Sequence, residues 1–153
     1  MARLEDIPEP TRTAARDIAC PQFDTTPWVD GPPLSSRRVA IVSSAALIRA
    51  SDTPFPVGSG EAREVPLAGG ADALLTSHVS INFDRSGFQR DANVVFPLER
   101  LDELAQAGLI GSVAARHFTV MGSTDPVAMQ ESVAFIAQAL HADKVDAVLL
   151  APV

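Results

Sequence analysis

The sequence predicts a layered α/β domain in which helices flank a mainly parallel β-sheet, preceded by an extended, proline-rich N-terminal arm. Continuous apolar runs typical of buried parallel strands recur along the chain, and amphipathic helical stretches separate the later runs. Half of the 12 prolines fall before residue 34. We therefore divide the chain into an arm over residues 1–36 and an α/β domain over residues 37–153, which we expect to be incomplete at its C-terminus.

Composition and charge exclude several classes of protein. The 153 residues, 46% of them hydrophobic, suffice for one core, and a formal net charge of −7 does not suit nucleic-acid binding. No apolar run has the length of a membrane span, and the N-terminus lacks the features of a secretory signal. We expect a cytoplasmic protein without membrane contact. Cys20 is the only cysteine, which excludes an intramolecular disulfide and a multi-cysteine metal site within this chain.

The first elements are a short helix in the arm and a buried strand. Residues 11–18 predict the helix, and the apolar run Val39-Ala40-Ile41-Val42 predicts the first, parallel strand of the sheet. The stretch from Asp52 to Gly70 is rich in proline and glycine and predicts a loop. A second strand is expected over residues 73–76, followed by strictly alternating apolar and polar residues up to Asp84.

The second half alternates helices with strands. Pro97 begins a helix with leucines at helical spacing, which Gly108 ends, and a third strand is expected from Val113 to Met121. Asp125 and Pro126 then give an N-cap and a first helical residue. The core face of that helix consists of residues at positions i, i+4, i+7 and i+11, namely Met129, Val133, Ile136 and Leu140. Residues 145–153 have the pattern of another buried strand.

Open α/β sheets bind ligands at the carboxyl ends of their strands, so the polar residues there are candidate site residues. Ser43 and Ser44 follow the first strand, residues 77–78 follow the second, and residues 121–124 follow the third. The alternating segment puts His78, Ser80, Asn82 and Asp84 on one face if it is extended. Such a face can orient a polar substrate and move a proton, although a solvated outer face explains the alternation equally well.

His117 lies inside the third predicted strand and has two interpretations. It is either a half-buried residue with its hydrogen bonds satisfied or a catalytic residue. His78 and His117 could also bind a metal together with Asp84 and Asp91, but no motif with diagnostic spacing supports this, and we predict no metal. Phosphate-binding loops, dinucleotide-binding glycine motifs and serine-hydrolase elbows are missing from the sequence.

Several segments together resemble the selenoprotein B family of glycine, sarcosine, betaine and D-proline reductases. Residues 38–47 and 51–55 are similar to the opening strand of that family, and residues 77–85 and 91–101 are similar to its central motifs. Later motifs match at residues 108–111 and 117–122. The agreement keeps the same order from about Arg38 to Val153.

The resemblance implies a cytoplasmic oxidoreductase that reductively cleaves a bond in a small molecule such as an amino acid derivative. It implies a selenocysteine or cysteine nucleophile directly after Val153, with no other cofactor in this chain, and a thiol or selenol redox partner protein. The chain then ends just before its redox centre and is inactive alone. We expect His78, Asp84 and His117 to be catalytic. The expected substrate-binding residues are Ser43, Ser44, Ser80, Asn82, Arg85 and Asn93.

Two other functions stay open at this point. The chain could be a non-catalytic module that uses the same polar face to bind a small molecule or a partner. It could also be an inactive truncated fragment, whose unfinished sheet would expose an apolar edge. The sequence also leaves open whether the chain forms oligomers.

Overall fold

The computed structural model describes residues 3–17, 22, 24–26, 28–67, 70–80 and 85–153. Within these residues the strands are β1 (Arg38–Ser43), β2 (Leu47–Ile48), β3 (Ala62–Glu64), β4 (Leu75–Thr76), β5 (Ser112–Val113), β6 (Phe118–Val120) and β7 (Ala147–Ala151). The α-helices are α1 (Thr11–Arg16), α2 (Ser86–Arg90), α3 (Leu98–Gln106) and α4 (Gln130–Ala142). Short 3₁₀ turns occupy Leu4–Asp6, Leu34–Ser36, Ala71–Ala73, Ala92–Val94 and Pro126–Met129.

The main sheet is mostly parallel, as the sequence predicts, and β1 lies at its centre. β7 pairs with β1 in parallel along its whole length, from Val39 opposite Ala147 to Ser43 opposite Ala151. On its other side β1 pairs in parallel with β5 and then with β6, and β3 adds an antiparallel strand beside β6. Helices cover both faces of this sheet, which confirms the predicted α/β class.

The two faces of β1 belong to two different cores. Val39 and Ile41 pack on one side, with Leu101 of α3 and with Phe96. Ala40 packs on the other side, with residues of α4. This alternation follows from the two-residue period of a strand, and a strand buried on both faces has the continuous apolar sequence from which β1 was predicted.

α3 begins and ends close to the predicted residues, whereas α4 begins at Gln130 and not at the predicted Pro126, because Pro126–Met129 form a 3₁₀ turn before it. α3 follows Pro97, and Gly108, with a φ of 70°, lies just beyond its end. The Asp125 carboxylate accepts a hydrogen bond from Val127 N–H at 2.9 Å, so it caps the turn that leads into α4. Ile136 and Leu140 are buried as expected, whereas Val133 is 59% exposed, which contradicts its assignment to the core face.

The strands differ from the predictions in four places. The predicted loop over residues 52–70 contains β3, and β4 joins β2 in a separate antiparallel pair instead of extending the parallel sheet. Residues 77–80 do not continue as a strand, and residues 81–84 lie outside the described residues. The expected third strand is split, because residues 114–117 separate β5 from β6.

The last predicted strand forms as β7, but it is not buried. Val148, Leu149 and Leu150 are 43%, 39% and 70% exposed. Among the described residues only β1 pairs with β7, which therefore lies at the edge of the sheet. None of the helices in the described part of the chain combines the length and apolar character needed to cross a membrane.

Candidate functional site at the carboxyl end of the sheet

The carboxyl ends of β1, β6 and β7 meet at one place. Ser44, directly after β1, accepts a hydrogen bond at Oγ from the N–H of Val153, at 2.8 Å. Its own N–H donates to the carbonyl of Ala151 at the end of β7, and its carbonyl accepts from the N–H of Gly122 beyond β6. Ser44 thus ties together the three segments that leave these strands.

Gly122 has no room for a side chain. A Cβ built there would lie 2.8 Å from Ser44 Oγ and 2.9 Å from Ser44 O, closer than Cβ atoms come to such groups. Only glycine therefore lets the segment after β6 approach Ser44 this closely. The sequence offered one signal for this residue, a glycine directly after a predicted strand.

Ser43 is a buried residue whose hydroxyl binds backbone groups of the fold. It is completely buried, and its Oγ donates to the carbonyl of Val95 at 2.8 Å and accepts from the N–H of Ala45 at 3.2 Å. Its role as a substrate-binding residue stays a prediction. The contacts that it makes fasten the end of β1 to the segment before α3.

Thr76, which the sequence did not single out, connects His78 to the carboxyl end of β1. Its hydroxyl donates to the carbonyl of Ala45 at 2.6 Å and accepts from the N–H of His78 at 3.2 Å. Ser77 adds a second link through its N–H, which donates to the carbonyl of Ala46. The two links place the buried His78 beside the segment that leaves β1.

His78, Ser80 and Arg85 form a local cluster that depends on hydrogen bonds and not on the extended strand that the alternation suggested. Nδ1 of His78 accepts from the N–H of Ser80 at 3.2 Å, so the neutral imidazole carries its proton on Nε2. The Arg85 guanidinium donates to the carbonyls of His78 and Ser80 at 3.0 and 2.6 Å. Burial, with a smaller contribution from the Arg85 charge, lowers the pKa of His78 below its ordinary value. His78 is therefore held neutral near pH 7.

His117 fills the break between β5 and β6. Val39 pairs with Val113 and Val42 pairs with Phe118, so two residues of β1 face the four residues 114–117. In that gap Nδ1 of His117 accepts the N–H of Ile41 at 2.9 Å, a hydrogen bond that a strand carbonyl would otherwise accept. The imidazole thus completes the ladder of the sheet.

The surroundings of His117 are apolar. The ring is completely buried and meets Phe96 edge to face, with centroids 5.5 Å apart. Among the described residues Nε2 has no hydrogen-bond partner of good geometry. Burial lowers the pKa of His117, and the Ala114 backbone and the charges of Asp102, Asp143 and Glu64 raise it by less. None of the hydrogen bonds described above connects His117 with His78, and no residue in them binds both histidines.

Asn93 contacts the first turn of α3 from outside the helix, whose N-cap residue is Pro97. Its Oδ1 accepts from the N–H of Glu99 at 3.2 Å, and its Nδ2 donates to Asp91 and to Glu99 at 2.9 and 3.0 Å. These contacts satisfy an N–H of the first turn, and the predicted contact of Asn93 with substrate stays untested. Asn82 and Asp84 lie outside the described residues, as does Cys20. In the described part of the chain, no three histidine or acidic side chains converge as metal ligands would.

Comparison with known proteins identifies one family. The family model described as glycine/sarcosine/betaine reductase selenoprotein B matches residues 18–153, which is most of the chain. No curated protein and no solved structure matches the chain significantly.

Proposed function

We propose, from the premise that this chain belongs to the glycine/sarcosine/betaine reductase selenoprotein B family, that it forms the substrate-side part of a selenol- or thiol-dependent reductase. The substrate is a small molecule, such as an amino acid derivative, in which one bond is cleaved reductively. The observation that carries the proposal is the convergence of Ser44, Gly122 and Val153 where three parallel strands end. Open α/β sheets bind their ligands at this end.

The proposal includes a selenocysteine or cysteine directly after Val153, as the family resemblance implies. Once ionised, such a group supplies the nucleophile for the reaction. Ser44 orients the backbone leading to that position, because its Oγ accepts the N–H of Val153. The hydroxyl also carries a proton that it can donate to a nearby anion, which would favour the ionised nucleophile. A thiol or selenol redox partner protein would return the nucleophile to its reduced form.

His78 is the proposed hydrogen-bond donor at this site, because a neutral imidazole with its proton on Nε2 can stabilise negative charge on a substrate without giving the proton up. The hydrogen bonds from Arg85 to the carbonyls of His78 and Ser80 fix the segment that carries this imidazole. His117 shapes the sheet beneath the site through its hydrogen bond to Ile41. Asp84 remains in the proposal as a catalytic residue, and Asn82 as a substrate-binding residue.

One observation favours the second candidate, a non-catalytic binding module. Ser43, Asn93 and His117 all use their polar atoms to hold backbone groups of the fold. A module needs only the half-buried Ser44 and the polar groups beside the buried His78 to bind a small molecule. The two candidates differ in whether a reactive selenol or thiol belongs to the protein.

The test is expression of the gene with its downstream nucleotides in a host that decodes selenocysteine. The reductase proposal expects incorporation of selenium, or a cysteine, and alkylation by iodoacetamide below the pH at which an ordinary thiol reacts. Ser44→Ala should raise the pH midpoint of alkylation, whereas Ser51→Ala, in an exposed loop, should not change it. Product without selenium or a reactive thiol would leave the binding module as the function.

A further inference from the structure

A cleft lies between two segments of the chain, one that forms β4 and one that runs from α2 into the 3₁₀ turn Ala92–Val94. Its volume is about 620 Å³, which is in the range of clefts that bind small molecules. Among the described residues that line it, Asp72, Leu74 and Thr76 belong to the first wall, and Phe88, Gln89 and Arg90 belong to the second. None of the described lining residues belongs to β7, so the cleft is formed without the C-terminal end of the chain.

Both walls of this cleft are fastened to the end of β1. In the first wall, the Thr76 hydroxyl donates to the carbonyl of Ala45 at 2.6 Å. The second wall continues into Val95, whose carbonyl accepts from Oγ of the buried Ser43 at 2.8 Å. Because Ser43 and Ala45 flank Ser44 in the sequence, these hydrogen bonds place the cleft beside the candidate site and fix its two walls relative to each other.

The two walls carry opposite charges that the fold does not use. Asp72 on the first wall and Arg90 on the second are both exposed, and within the described residues neither makes an ion pair or a side-chain hydrogen bond. The other described arginines of the α/β domain all donate to a carboxylate or to a backbone carbonyl. A carboxylate and a guanidinium are therefore available to a ligand in one cleft.

We propose that this cleft binds an extended zwitterion of about the size of a dipeptide with apolar side chains. The ligand carboxylate binds the Arg90 guanidinium, whose paired N–H groups match a planar carboxylate, and the ligand ammonium group binds Asp72. Leu74 and Phe88, which pack from the two walls against the same core, contact the apolar side chains of the ligand. Glycine would leave most of this volume and the apolar surface unfilled. The inference concerns binding alone, so it holds whether or not a selenol or thiol follows Val153.

The ligand class is tested by isothermal titration calorimetry on the full chain, with L-leucyl-L-leucine as the probe. The comparison compounds are its C-terminal amide, which lacks the carboxylate, its N-acetyl derivative, which lacks the ammonium group, and glycine. We expect the dipeptide to bind at least tenfold more tightly than each of the three, because each lacks one of the proposed contacts. Equal affinity for the amide or for the acetylated dipeptide would overturn the zwitterion, and equal affinity for glycine would overturn the ligand size.

The location of the ligand is tested with variants of the two charged residues. Arg90→Gln should weaken binding of the dipeptide at least tenfold and abolish the difference between the dipeptide and its amide. Asp72→Asn should likewise abolish the difference between the dipeptide and its acetylated form. Arg100→Gln is the matched control, since this exposed arginine of α3 pairs with Glu99, and it should bind the dipeptide as the natural chain does.

Two results would overturn the proposal: no binding of the dipeptide at millimolar concentration, or an unchanged dissociation constant in the Arg90→Gln variant. Circular dichroism establishes that each variant is folded. Neither result bears on the reductase proposal, which depends on selenium content and on alkylation of the nucleophile.

Discussion

Replacing His117 by phenylalanine removes a hydrogen-bond acceptor from inside the sheet while keeping a planar ring in the same space. Nδ1 of His117 lies 2.9 Å from the nitrogen of Ile41, and the imidazole is completely buried. His117→Phe leaves the N–H of Ile41 buried without an acceptor, which lowers the free energy of unfolding by about 1–3 kcal/mol. His117→Ala also opens a cavity beside Phe96, and we expect it to lower the free energy of unfolding by about 3–5 kcal/mol.

The pH dependence of stability provides a second test of the same residue. Because burial lowers the pKa of His117 in the folded protein, the unfolded chain binds the proton more readily than the folded chain. The free energy of unfolding is therefore highest above the unfolded pKa of about 6.5, and it falls as the pH decreases toward the folded pKa. The pKa of His78 is lowered too. In the His117→Phe variant the free energy of unfolding should therefore decrease less as the pH decreases, but it should still decrease.

The assay is urea unfolding followed by far-ultraviolet circular dichroism, between about pH 5 and pH 7.5. Circular dichroism is preferable to fluorescence because the single tryptophan, Trp28, is already 76% exposed in the folded chain. His141→Gln is the matched control, since this histidine is exposed at the end of α4 and should change stability by less than about 0.5 kcal/mol. A His117→Phe variant as stable as the natural chain, with an unchanged pH dependence, would refute the role of the imidazole in the ladder.

Two further substitutions test the segment between β6 and α4, one at Gly122 after β6 and one at Asp125 before α4. Gly122→Ala forces a Cβ against Ser44 and should lower the free energy of unfolding by about 1–3 kcal/mol, whereas Gly87→Ala, where a Cβ meets only Val94 at 3.8 Å, should not destabilise the chain. Equal stability of the two alanine variants would argue against the close approach. Asp125→Ala removes the cap before α4 and should lower the free energy of unfolding by about 1 kcal/mol in the same urea assay. No change on removing this carboxylate would show that the cap does not form.

The elements that were predicted well are those whose sequence pattern lies within the element itself or directly before it. β1 is apolar on both faces because both faces are buried. A proline marks the start of α3, and a capping aspartate marks the 3₁₀ turn that leads into α4. β3 escaped prediction because its three residues, Ala62–Glu64, have no apolar run and depend on pairing with β6. The local pattern also cannot distinguish a central strand from an edge strand, and β7 was therefore expected to be buried.

The candidate site was predictable only in outline. The polar residues after the strands follow from the α/β pattern, and Ser44 and His78 do lie next to the end of β1. The break in the third strand depends on a long-range contact, since His117 reaches a backbone N–H 76 residues away. No periodicity in the sequence reports such a contact. A histidine in a predicted strand therefore leaves both a structural role and a catalytic role open.

The proposed reductase function is tested most directly by mass spectrometry of the protein purified from its own organism, on the peptide that contains Ala151-Pro152-Val153. We expect this peptide to continue with a selenocysteine or cysteine directly after Val153, and that residue to be alkylated at a pH where ordinary thiols are unreactive. A peptide that ends at Val153, or continues with a different residue, would contradict the placement of the nucleophile at the carboxyl end of β7.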